Sequence, residues 1–114
     1  MIVAFSVAPT QTPGHDAEMS AAVARAVRVV RESGLPNETN AMFTLVEGQW
    51  DEVMDVVHRA TLAVAEVSPR VSLVLKADIR AGHTGQLTQK VESLEAQLAA
   101  QSPAAGPVDG EEKA

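Results

Sequence analysis

The amino-acid sequence predicts an α+β fold, one antiparallel sheet with helices packed on a face. Three observations predict it. Residues 70–80 read RVSLVLKADIR, with Val71, Leu73, Leu75, Ala77 and Ile79 on one side of a strand and Arg70, Ser72, Val74, Lys76, Asp78 and Arg80 on the other. Residues 2–8 form a short apolar run closed by Pro9. Two segments with apolar residues at helical spacing separate the strand-like stretches.

The first strand runs from Ile2 to Ala8, and Pro9, Pro13 and Gly14 mark the loop behind it. Asp16 is placed to cap a helix whose stripe is Met19, Val23, Ala26, Val27 and Val30. Gly34 and Pro36 end it. Residues 37–48, NETNAMFTLVEG, read as one bent strand or two short ones, rich in Thr, Phe, Leu and Val and closed by Gly48. A second helix begins near Gln49 on the stripe Trp50, Val53, Met54, Val57 and Val64. Asp51, Glu52 and Asp55 sit near its N-terminus, where the dipole favours negative charge. Ser68 and Pro69 break it before the strand at 70–80. A third helix spans about Leu87 to Ala100, with Leu87, Val91, Leu94 and Leu98 in a narrow seam suited to a partner helix or sheet edge.

The order β-α-β-β-α-β plus a last helix gives a ferredoxin-like βαββαβ sandwich with an extra C-terminal helix. Residues 1–100 form the domain, and residues 101–114, which lack an apolar period, are expected to be a disordered tail. The first strand is apolar on both faces. Two helices cover only one face, so the other is expected to be buried in a homodimer or homotetramer.

Composition excludes several classes. A length of 114 residues suits a single core. A net charge of −6 argues against nucleic acid, and 3% aromatic residues leave few stacking platforms for single strands. With no cysteine there is no disulfide, thiolate metal site or thiol nucleophile. The apolar start is too short to span a bilayer and follows no basic region, so no membrane association is expected and a cytoplasmic location is.

Four segments, FSVAPT at 5–10, ESGLPNETNAMFTLVEGQWDEVMDVV at 32–57, PRVSLVLKADIR at 69–80 and KVESLE at 90–95, together resemble the thiamine-binding, YkoF-like family of small ferredoxin-like proteins. The specific part is Thr44, Glu47 and Gly48 before an acidic helix start, together with Lys76-x-Asp78-x-Arg80. The resemblance implies dimers or tetramers with packed sheets, and thiamine or a related pyrimidine bound near the subunit contact. Members often carry Pro and Gly where this chain has Ala41 and Phe43, so Phe43 either fills part of a cleft or stacks on a ligand.

The candidate ligand-binding residues are Ser6, Asn40, Thr44, Glu47 and Lys76. An aminopyrimidine needs paired donors and acceptors, which Ser6, Asn40 and Thr44 can supply. Glu47 can accept from the exocyclic amine or offset the thiazolium charge. The plainer roles are that Ser6 and Thr44 satisfy backbone groups and Glu47 starts the helix after it. Lys76, near mid-strand, has Glu47 as its natural partner, and Asp78 and Arg80 are expected to form structural pairs. His15, His58 and His83 lack metal-ligand spacing, so neither metal nor cofactor is expected. No nucleophile-elbow, phosphate-loop or dinucleotide motif is present. The expectation is a non-enzymatic binding protein with no catalytic residues. The alternatives are a small dimeric enzyme of the monooxygenase or isomerase type and a structural or regulatory oligomer.

Overall fold

A computed structural model describes residues 1–10, 16–82 and 84–101. Of the tail expected at 101–114, Gln101 is helical, and residues 102–114, like His15 and His83, lie outside the described residues. The elements are β1 (Ile2–Pro9), α1 (Asp16–Glu32), β2 (Asn37–Thr39), β3 (Thr44–Glu47), α2 (Trp50–Ala65), β4 (Val71–Asp78) and α3 (Gln86–Gln101). The strands form one sheet in the order β2-β3-β1-β4 with every neighbour antiparallel. This is the α+β sandwich with a C-terminal helix that the element order predicts.

The core lies between one sheet face and the first two helices. Val3, Phe5 and Val7 of β1 alternate inward against Ala22, Ala26 and Val30 of α1 and Val53, Val56, Val57, Ala60 and Val64 of α2. Each buried valine contributes roughly 1.5–3 kcal/mol relative to exposure. At the end of α1, Gly34 turns the chain at φ 83°, and the Ser33 hydroxyl donates to the Val30 carbonyl at 2.6 Å.

Two details depart from the sequence pattern, and one open alternative is decided. Residues 37–48 form two short strands and not one bent strand, because the Asn40 carboxamide nucleates the turn between them. Its Oδ1 accepts the N–H groups of Met42 and Phe43, both at 2.8 Å. In α2, Val56 is buried while Trp50 remains 55% exposed. Trp50 is the first residue of α2, at the exposed end of the stripe, and the packed part of the helix begins at Val53. On β4, Leu73 is exposed although it shares the core face with Leu75, because β4 is an edge strand.

The other sheet face is open. Pairing puts Ile2, Ala4, Ser6 and Ala8 on it, beside Leu45 and Glu47 of β3 and Ser72, Val74, Lys76 and Asp78 of β4. Only the start of α3 rests there. Gln86 is buried and Leu87 half-buried, while residues 88–101 are all exposed.

Candidate functional site

Strand lengths create the cavity. β1 has eight residues but β3 has four, and β3 pairs only with Ile2 through Phe5. Beyond Phe5, the β1 edge that would face β3 has no strand beside it among the described residues. The turn at Asn40–Phe43 hangs over that gap, and α1 closes it from the helix side. The result is a cavity of about 300 Å³ bordered by Ser6, Val7, Val23, Asn40, Phe43 and Thr44, among others. That volume lies at the lower end of the range for small-molecule sites.

The polar groups at this cavity are few and differently engaged. Thr44 is 8% exposed, and its hydroxyl has no hydrogen-bond partner among the described residues. Leaving such a group unpaired costs about 1–3 kcal/mol. Asn40 spends its carbonyl oxygen on the turn, which leaves its amide N–H groups as donors. Ser6 sits where β1 loses its β3 neighbour, at the boundary between cavity and open face. Phe43 and Val23 supply apolar walls.

The other two candidates lie elsewhere. Glu47 is 5% exposed, and its carboxylate caps α3. The Gln86 N–H donates to Oε2 at 2.8 Å and the Leu87 N–H to Oε1 at 3.3 Å. Glu47 therefore starts a helix, but α3 rather than α2. The start of α2 is held instead by Glu52, whose Oε1 accepts the Gln49 N–H at 3.0 Å. Lys76 is exposed on the open face, in a groove with Ile2, Ala4, Asp78 and Lys90. Among the described residues it makes no ion pair with Glu47; the expected pairing fails because α3 occupies that carboxylate. Asp78 pairs with Lys90 rather than Arg80. The Lys90 ammonium donates to Asp78 and, with Arg80 and Lys76 nearby, holds that carboxyl below its ordinary range.

Sequence reasoning missed Val23 as a cavity wall. Its place at the border of the α1 stripe was the available signal, since a border residue is half-buried and can face a cleft. His58 is exposed on α2. Among the described residues, no cluster of His, Cys, Asp and Glu is suited to a metal ion, and no helix is long and apolar enough to cross a membrane.

This arrangement has known counterparts. The family model described as thiamine-binding protein matches residues 3–95. The chain belongs to the thiamine-binding protein family. A UPF0045 protein of Mycobacterium bovis is 52% identical over 99 residues, covering 86% of this chain and 94% of the relative. The crystal structure of a hypothetical protein from Methanocaldococcus jannaschii superposes with a TM-score of 0.72 at 30% identity, covering 82% of this chain and 94% of that one. A thiamine biosynthesis or salvage candidate from Thermotoga maritima superposes with a TM-score of 0.68 at 26% identity, covering 82% and 96%. Within this thiamine-binding family fold, the cavity beside Thr44 is built from the segments at 5–10 and 32–57 that carry the family resemblance, and α1 closes it.

Proposed function

We propose that this protein binds thiamine or a related pyrimidine, without converting it, in the cavity between α1, β1 and the β2–β3 turn. The observation that carries the reading is Thr44, a buried residue that borders this cavity and whose hydroxyl has no hydrogen-bond partner among the described residues. An aminopyrimidine supplies what that hydroxyl lacks. The β1 edge at Ser6–Ala8, beside which no strand lies among the described residues, adds backbone donors and acceptors, and the Asn40 amide adds a donor. Phe43 and Val23 then contact the ring faces. Membership of the thiamine-binding family and the likeness to the Thermotoga maritima protein support this ligand class.

The lining supports carriage over conversion. No histidine, tyrosine or carboxylate borders the cavity among the described residues, so none of these acid–base groups among them lines the proposed ring site. The proposed contacts are Ser6, Asn40 and Thr44. Glu47 is assigned to holding α3, and Lys76 to the open face. That face, with Ile2, Ala4, Ser6 and Ala8 only partly covered, supports assembly as a homodimer or homotetramer.

Isothermal titration with thiamine, its phosphates and hydroxymethylpyrimidine tests the reading. Saturable binding of one of them, weakened in Thr44→Val, is the expected result. Absence of heat with all of them, or turnover of the ligand during titration, would overturn it.

A further inference from the structure

Strand β4 is an edge with little to protect it. It pairs with β1 on one side, and no strand lies on its other side among the described residues. The eight residues VSLVLKAD contain neither proline nor glycine. Long unpaired edges of this kind are templates for another strand. Exposed apolar side chains gather here, Leu73 on the core side and Val74 on the open side.

The charges select a register. Pairing β4 with itself about a two-fold axis keeps each side chain on its own face, so only registers centred on a residue are allowed. Centring on Leu75 puts Arg70 opposite Arg80 of the second copy. Centring on Leu73 puts Lys76 opposite Arg70. Both oppose like charges, which is destabilising. Centring on Val74 puts Val74 opposite itself, Lys76 opposite Ser72, Asp78 opposite Arg70, and Leu73 opposite Leu75. Lys90 occupies only the Oδ2 atom of Asp78, which leaves Oδ1 for the guanidinium.

The last helix fits the same arrangement. α3 starts at Glu47 on β3 and reaches Asp78 on β4 through Lys90, so it travels across β1 toward the β4 edge. Val91, Leu94 and Leu98 continue the helical side on which Leu87 is half-buried against the body, yet all three are exposed. Carried over a paired β4 edge, they would meet the end of the second copy's open face that holds Ala8 and Ser72.

We propose that β4 is a self-pairing edge: two copies join their β4 strands antiparallel about an axis at Val74, forming one continuous sheet that the α3 seam of each copy overlaps. This rests on the assembly reading above and specifies its surface.

The chain contains no cysteine, so single cysteines report the contact cleanly. Directly opposed residues stand about 4.5–5.5 Å apart between Cα atoms, within disulfide range. Val74→Cys should therefore oxidise to a covalent dimer. Ser72→Cys, on the same face, should stay monomeric under denaturing electrophoresis, because its own copy lies about four residues, or roughly 13 Å, along the strand. Sedimentation of the unmodified protein runs alongside. An oligomer in which Val74→Cys fails to cross-link, or in which Ser72→Cys cross-links as well, overturns the β4 surface while the assembly reading stands. A monomer overturns both. Leu94→Asp should raise the dimer dissociation constant at least tenfold, and an unchanged constant would remove α3 from the interface.

Discussion

Glu47 and Gln86 stand 39 residues apart in the chain, and the carboxylate of the first accepts the backbone N–H of the second at 2.8 Å. The second carboxylate oxygen takes the Leu87 N–H. Two donors of the α3 first turn are thus satisfied by a strand residue, and the negative charge sits at the positive end of the helix dipole. Because residues 88–101 are exposed, this contact and the Lys90–Asp78 pair are the polar ties that hold α3 to the sheet.

Replacing Glu47 with Gln should therefore loosen α3 and not empty the cavity. One acceptor remains but the charge is gone, a cost of about 1–2 kcal/mol. Hydrogen exchange should show faster amides at Gln86 and Leu87, with the β1 amides unaffected. Thiamine affinity should stay within about twofold of the parent protein, below half a kcal/mol. Unaltered exchange at Gln86 would contradict the capping role. A large affinity loss would move Glu47 to the ligand.

The second tie depends on pH. The Lys90 ammonium, by its hydrogen bond and then its charge, lowers the Asp78 carboxyl from the ordinary value of 3.8; slight desolvation opposes this, while Arg80 and Lys76 reinforce it. A carboxyl depressed in the folded state stabilises that state above its ordinary value. The contribution is lost as pH falls through the lower folded value. The pair is exposed, so the effect is small and weakens with salt. A carboxyl-carbon NMR titration should give Asp78 a midpoint below 3.8. Lys90→Gln should move the midpoint upward, and a midpoint that ignores this substitution would rule out the pair.

Gly34 offers a test of backbone origin alone. Its φ is 83°, and a Cβ built there meets nothing within 4 Å. Gly34→Ala therefore adds no clash and only the left-handed backbone penalty, roughly 1–2 kcal/mol. For a domain of this size, 1 kcal/mol lowers the melting temperature by about 4–8 °C. Gly34→Asn should lose less, because Asn tolerates this conformation better. Equal losses for the two would point to a cause other than backbone strain.

Much of the fold was legible because local patterns agree with tertiary structure. The β1 run, the α1 stripe ending at Gly34 and the alternation at 70–80 each follow from one face being covered. What stayed hidden depends on sheet ends and registers. Trp50 continues the α2 stripe in sequence but is the helix's first residue and more than half exposed, so periodicity counted it as core. The alternation itself separates Thr44 from Glu47, three residues apart and hence on opposite faces. That signal was present, but grouping both residues in one cleft required a β3 strand long enough to bend around a ligand. The length mismatch between β1 and β3 fixes the cavity, and nothing local in NETNAMFT shows where pairing stops. The Glu47–Gln86 contact likewise requires knowing that α3 returns across the open face.

Thr44→Val separates binding from stability most directly. Valine has nearly the shape of threonine but no hydroxyl. In the unliganded protein that hydroxyl is buried without a partner among the described residues, so removing it relieves an unpaired polar group. The melting temperature should hold or rise by a few degrees, as for relief of up to about 1 kcal/mol. With a pyrimidine bound, the same hydroxyl has a partner, and its loss should weaken affinity by about 1–1.5 kcal/mol, roughly tenfold. Thr44→Ser keeps the hydroxyl and should retain affinity while losing some stability with the methyl group. Calorimetry and thermal melts on the three proteins decide the matter. If Val and Ser weaken binding equally, the cavity senses shape and not the hydroxyl. If Val lowers the melting temperature as much as affinity, Thr44 is a structural residue whose partner lies outside the described chain.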